Sequence, residues 1–148
     1  MSKQIKLKIV TPEKLVLEEL VDQVSLPTVD GEITILPHHI SLISSLGSGD
    51  VVAVVNGEHI PMAIVGGFLE VKEGTDGTTE VAVLADFAEH IAHYTEEAIE
   101  KAKARAEELR NLMENKEHVD YEHFAAELER SLTRVRISDK WRTRKYRK

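Results

Sequence analysis

The chain has 148 residues, no cysteine and a formal net charge of -7. The missing cysteines exclude disulfides, thiolate metal sites and thiol nucleophiles. No apolar run approaches the ~20 residues that span a bilayer. Met1-Ser2-Lys3-Gln4-Ile5 has no signal-peptide core, so a cytosolic chain, or one peripheral on the cytosolic face of a membrane, is expected.

Residues 3–10 alternate, with Ile5, Leu7 and Ile9 on one side and Lys6 and Lys8 on the other, the period of a half-buried strand. Thr11-Pro12-Glu13 turns the chain and Leu15-Val16-Leu17 returns. Residues 20–26 have mixed faces. Asp30-Gly31 then forms a turn, because glycine accepts positive φ without steric cost. Ile33, Ile35 and Leu36 make an apolar strand that Pro37 ends, since proline has no amide hydrogen to donate. His38 and His39 are thereby expected on an exposed corner, better suited to touching a partner than to chemistry.

Leu42 and Ile43 form a short apolar run, and Gly47-Ser48-Gly49-Asp50 is a loop. Val51 to Val55 is β-branched and precedes Asn56-Gly57, the dipeptide of a type I′ hairpin turn. The return strand from Ile60 is interrupted by Gly66-Gly67, which signals either a bulge or a close backbone approach. A turn at residues 74–79 and a strand over 80–85 complete a series of short strands, the pattern of a sandwich or flattened barrel.

The texture changes at Asp86, and residues 86–94 read as a connector. The expected domains are therefore residues 1–86, a β-sandwich, and 87–148, helical. Thr95 is placed to cap a helix, with Glu96 and Glu97 favourable against its dipole. Ala98, Ala102, Ala106, Leu109 and Met113 give that helix one thin apolar face. Residues 115–119 break the pattern, and Asp120 is placed to cap a second helix bearing Tyr121, Phe124, Leu128, Leu132 and Val135. Two amphipathic helices with a short connection make an antiparallel hairpin. The fold class is thus a mainly β amino-terminal sandwich followed by an antiparallel α-helical hairpin. Beyond Ile137 no apolar period is apparent.

Residues 134–148 carry eight basic side chains against Asp139 alone, a local +7 that leaves -14 on the preceding residues. An acidic body with a basic end predicts an electrostatic partner for that end. Trp141 and Tyr146 among the cations would also suit nucleic-acid stacking, but one short run on an acidic protein is a poor footprint. There is no phosphate-binding Gly-x-x-x-x-Gly-Lys run, and no serine or threonine has nucleophile context. His90 and His93, with Glu89 or Glu97, have the spacing of a partial metal set, which is weak by itself. No metal, cofactor or catalytic residue is expected. The glutamates of the first helix (Glu96, Glu97, Glu100, Glu107, Glu108) read as a solvated face.

Gly31-Glu32-Ile33-Thr34-Ile35-Leu36-Pro37-His38-His39 is similar to the distinctive motif of the epsilon subunits of F-type ATP synthases. Val10-Thr11-Pro12-Glu13 with Leu17, Gly66-Gly67-Phe68, and Val83-Leu84-Ala85-Asp86 with Ala88-Glu89 follow in that family's order and spacing. The chain resembles the bacterial form of this family over nearly its whole length. The resemblance implies a non-catalytic central-stalk rotor subunit on the cytoplasmic face of the cell membrane, without insertion. It would bind the gamma subunit and the c-subunit ring, couple proton or sodium flow to ATP synthesis, and inhibit ATP hydrolysis through its carboxyl-terminal helices. Gly31, Glu32, Leu36, Pro37, His38 and His39 would form the contact with the c-ring and gamma. Arg134, Arg136, Lys140, Arg142, Arg144 and Lys145 would meet the catalytic alpha/beta subunits, specifically an acidic segment of beta. Some bacterial members bind ATP through Ile-Asp-x-x-Arg-Ala, whereas Tyr94 to Ile99 here lacks both the aspartate and the arginine, so no regulatory nucleotide is expected. Ile40-Ser41 stands where the family commonly has Ala-Pro. The alternatives are a β-sandwich adaptor of an unrelated assembly and a small nucleic-acid-binding protein.

Overall fold

The computed structural model describes residues 4–114 and 121–145; the side chains of His93, Tyr121 and residues 142–145 are not among those described. Eight strands come first: β1 (Ile5–Val10), β2 (Leu15–Val21), β3 (Gln23–Thr28), β4 (Gly31–Ile35), β5 (Leu42–Ser45), β6 (Gly49–Val55), β7 (Glu58–Glu73) and β8 (Thr79–His90). A 3-10 turn over Ile91–His93 precedes helices α1 (Glu96–Glu114) and α2 (Tyr121–Lys145). The chain divides into two compact units, Met1–His90 and Ile91–Lys148.

In the first unit the strands run β2-β1-β8-β7-β6-β3-β4, with β5 added to β7. All pairings are antiparallel except β1 with β8, which is parallel. The alternation read in β1 holds: Ile5, Leu7 and Ile9 are fully buried, while Lys6 and Lys8 are exposed. They join Val24, Leu26, Ile35, Met62, Ile64, Leu69, Val71, Val81 and Val83 in one core between the layers. Asn56 and Gly57, both at positive φ, turn β6 into β7 between Val55 and Glu58, as the dipeptide demands.

Gly66 and Gly67 are no bulge. The β7–β8 ladder keeps one register from Met62↔His90 to Glu73↔Thr79. The glycines reverse instead which side faces inward. Before them Met62 and Ile64 enter the core; after them Leu69 and Val71 do, a change of parity. In β8 the same change falls between Ala85 and Ala88. Both strands therefore cross from one layer of the sandwich to the other together, and one edge of β7 pairs first with β6 and then with β5. Their φ values of 65° and 112° are open to glycine at little cost and strained for other residues. A Cβ on Gly67 would also collide with the backbone carbonyl of Leu84.

The connector expected at 86–94 is shorter. Residues 86–90 continue β8, paired with Met62–Val65, and Ala88 is buried. A mixed sequence such as Asp86-Phe87-Ala88-Glu89-His90 has little strand signature of its own. The long partner strand supplies its ladder, and that pairing is invisible locally.

In the second unit Thr95 caps α1: its hydroxyl accepts the Ala98 amide at 3.1 Å, and its carbonyl accepts the Ile99 amide at 3.0 Å. The buried face of α1 is Ile99, Ala102, Ala106 and Leu109. Ala98 and Met113, expected in that face, are only half-buried. In α2 the buried residues are Ser131, Thr133, Ile137 and Ser138, whereas Phe124, Leu128, Leu132 and Val135 are half-buried. Within the basic end, residues 134–145 are helical and continue α2. Arginine and lysine are good helix formers, so continuation needs no apolar period. The break at 115–119 and the cap at Asp120 lie outside the described residues.

Candidate functional site

Gly31 and Glu32 open β4 and Leu36 to His39 follow its end, so the six expected contact residues lie at the two ends of one strand. At about 3.3 Å per residue, Gly31 and Pro37 are roughly 20 Å apart along an extended edge strand. At the first end the β3–β4 hairpin turns through Val29 and Asp30, with Gly31 at φ 123°. The Thr28 hydroxyl stiffens this turn, accepting the Asp30 amide at 3.2 Å and donating to the Gly31 carbonyl.

At the second end the His39 amide donates to the Leu36 carbonyl at 3.2 Å, closing a four-residue turn. Pro37 takes the second position and His38, at φ 69°, the third. Proline then a positive-φ residue is the type II arrangement, in which the third position is usually glycine. His38 is held there by its amide, which donates to the buried Thr79 hydroxyl at 2.7 Å. The His39 ring is turned back on its own backbone, with Nδ1 2.8 Å from the Ile40 carbonyl oxygen. Leu36 and His38 are exposed and Pro37 is half-buried; His39, expected exposed, is half-buried as well. Val29 and Leu36 flank β4 in the chain, and with Ile40 and, in β5, Ile43 they are exposed aliphatic residues.

A second apolar surface was not foreseen. Leu84 and Phe68 lie directly opposite each other in the β7–β8 ladder, 56% and 58% exposed. Val10 pairs with Leu84 across β1 and β8, and with Leu15 across β1 and β2. These four residues make one row over four strands on the outer face. Only the alternation of Lys6, Lys8 and Val10 hinted at it, since that pattern turns Val10 outward with the two lysines. A groove nearby is lined by charged side chains, among them Lys6, Lys8, Glu18, Lys72 and Glu80, together with the exposed Leu20. Lys6 Nζ donates to Asp76 at 2.9 Å. That hydrogen bond, helped by those from Thr78, lowers the Asp76 carboxyl to about 2.

Of the basic candidates, Arg136 is exposed, and Arg134 and Lys140 are half-buried on α2. Arg142, Arg144 and Lys145 are helical, and their side chains lie outside those described. Of the histidine pair suggested for a metal, His90 ends β8 and places Nε2 3.3 Å from the Val16 carbonyl oxygen, and the His93 side chain lies outside those described. Among the described residues no three His, Asp or Glu side chains converge as a metal site would require. Among them, too, no helix is long and apolar enough to cross a membrane.

Comparison with known proteins bears on the same residues. The sequence pattern of the family described as ATP synthase, Delta/Epsilon chain, beta-sandwich domain matches residues 4–91. The ATP synthase epsilon chain of Nitratidesulfovibrio vulgaris is 40% identical over 137 residues, covering 93% of this chain and 97% of that one. That of Syntrophobacter fumaroxidans is 36% identical over 140 residues, covering 95% and 99%. Among solved structures, a chain of the Euglena gracilis mitochondrial ATP synthase (OSCP/F1/c-ring) superposes with a TM-score of 0.65. It is 23% identical, over 87% of this chain and 78% of that one, a likeness of fold. The β-sandwich, the two helices after it and the relatives matched from end to end agree: the chain belongs to the ATP synthase epsilon chain family, a non-catalytic subunit.

Proposed function

We propose that the chain is a central-stalk rotor subunit of an F-type ATP synthase. It docks through its β-sandwich and regulates ATP hydrolysis through its helices. The observation that carries this reading is the division of labour in the fold. A rigid sandwich presents two fixed turns on one edge strand, and a separate helical unit ends in a run of cations. In this reading Gly31 and Glu32 at one end of β4, and Leu36, Pro37, His38 and His39 at the other, contact the c-subunit ring and the gamma subunit. Two fixed points far apart on one strand resist rotation of a bound partner better than a single corner, which suits a part that transmits torque.

Arg134, Arg136, Lys140, Arg142, Arg144 and Lys145 are the contact to the catalytic alpha/beta subunits in the inhibited state. Each exposed pair contributes only about 0.2 to 1 kcal/mol, but several on one helix bias a two-state equilibrium roughly tenfold or more. The protein then sits peripherally on the cytoplasmic face of the cell membrane and couples proton or sodium flow to ATP synthesis. The test is deletion of residues 134–148 from the assembled complex. ATP hydrolysis rises while capture by the gamma subunit is retained. Unchanged hydrolysis removes the regulatory part of the reading, and failure of the full chain to bind gamma removes the rotor part.

A further inference from the structure

We propose that Arg105 and Glu127 form a latch that holds the helical hairpin closed. Arg105 Nε and Nη2 donate to Glu127 Oε1 and Oε2 at 2.7 and 3.1 Å, a two-point pair between α1 and α2. Its remaining terminal nitrogen, Nη1, lies 3.1 Å from Glu108 on its own helix, so the guanidinium is engaged on every side. The planar fork matches a carboxylate in distance and direction, which makes such pairs the strongest and most orienting of exposed ionic contacts. By contrast, Glu97–Lys101 and Glu100–Lys103 lie within one helix and are indifferent to whether the hairpin is open or closed.

The need for a latch follows from the helices' own faces. The buried side of α1 contains two alanines among its four residues. Among the described residues of α2, Ser131, Thr133 and Ser138 are buried hydroxyl carriers beside the buried Ile137, while Phe124, Leu128, Leu132 and Val135 are half-buried. Small side chains remove little apolar surface from water, so the alanines and hydroxyl residues add little to closure beside Ile99, Leu109 and Ile137. The Thr133 hydroxyl is buried without a hydrogen-bond partner among the described residues, which opposes closure further. Glu127, Ser131 and Ser138 lie at spacings of four and seven along α2. The ion pair therefore sits on the same line of the helix as two of the small residues. The Glu127 carboxyl is held below its ordinary range, first by the hydrogen bonds from Arg105 and then by the charges of Arg105, His123 and Arg130.

Closure of this hairpin thus draws on a directional contact beside a thin apolar face, and loss of the ion pair raises the population of the open form. Neither partner belongs to the β unit, whose ladders are complete without them. The consequence for ATP hydrolysis rests on the regulation proposed above; the latch in the free chain does not.

The experiment is amide hydrogen exchange on the full chain, resolved by residue. In R105A and in E127Q, exchange in α1 and α2 rises about threefold or more while that in β7 and β8 is unchanged. The reversed pair R105E/E127R recovers part of the lost protection, and R105K, which keeps the charge but not the fork, falls between wild type and R105A. Wild-type protection of both helices in R105A, or additive losses without recovery in the reversed pair, overturns the latch. Equal loss in β7 and β8 also overturns it, because the contact would then support the whole chain. With the hairpin shown open, hydrolysis by the assembled complex at the wild-type rate counts against the regulatory reading and leaves the latch standing.

Discussion

Gly67 is packed against the Leu84 carbonyl so closely that no Cβ fits between them, and this contact is where the long β7–β8 hairpin passes from one layer of the sandwich to the other. Its neighbours are tied down at the same point. The Leu46 amide donates to the Gly67 carbonyl at 2.9 Å, and the Gly66 amide to the Gly47 carbonyl at 3.2 Å. The exposed pair Phe68 and Leu84 begins immediately beyond it, so the glycine crossing also places the apolar row on the outer face.

Glycine substitutions should grade accordingly. Gly67→Ala meets backbone and a φ of 112°, and should cost about 3 kcal/mol or more. Gly66→Ala meets the Asp86 carboxylate, which can swing aside, and should cost less. Gly57→Ala has open space but a φ of 81°, and should cost about 1 kcal/mol. Urea unfolding followed by the β signal in circular dichroism orders the three; equal losses at Gly57 and Gly67 would contradict the close approach.

The end of β8 sets the shortest stable β fragment. A chain ending at residue 86 forfeits the rungs Met62↔His90, Ala63↔Glu89, Ile64↔Ala88 and Val65↔Phe87. At about 0.5 to 1.5 kcal/mol per hydrogen bond, it should be less stable than a chain ending at 90 by about 2 kcal/mol or more. Both fragments should fold, and equal midpoints in urea would show that residues 87–90 add nothing to the sheet.

His38 occupies a positive-φ position where its amide, rather than its ring, makes the anchoring contact to Thr79. His38→Gly should therefore leave the isolated chain as stable or stabilise it by up to about 1 kcal/mol, while His38→Val should destabilise it by about 1 to 2 kcal/mol. His39→Ala should cost under about 1 kcal/mol, since its ring only meets the adjacent Ile40 carbonyl. Thermal melts separate these. A large loss in His38→Gly would mean that the imidazole itself holds the turn.

The acid limb of stability carries a mark of Asp76. Its carboxyl is lowered from 3.8 to about 2, chiefly by the hydrogen bond from Lys6 and then by those from Thr78. A group whose folded value is depressed contributes stability that is fully present above its unfolded value and disappears as pH falls through its folded one. The Asp76 contribution should therefore be constant above about pH 4 and lost toward pH 2. Asp76→Asn should flatten this part of the stability profile relative to wild type; profiles that stay parallel between those pH values would remove Asp76 from the account.

Much of this was legible in the residues themselves. Alternation in β1, the Asn56-Gly57 turn, the Thr95 cap and the stop at Pro37 each follow from short-range stereochemistry, which a chain carries wherever it folds. The motif order from Val10 to Glu89 likewise pointed to the family. What the sequence left open depended on residues distant along the chain. Whether Gly66-Gly67 bulged or packed closely was decided by the Leu84 carbonyl on the next strand. Residues 86–90 became strand because β7 was long enough to pair with them. Gly31 and Pro37, members of one motif, lie at opposite ends of an extended strand. His39 was half-buried by its turn, and the basic run became helix. The pairing of Arg105 with Glu127 has no local signature, since only antiparallel packing of two helices brings residues so far apart in sequence to hydrogen-bonding distance.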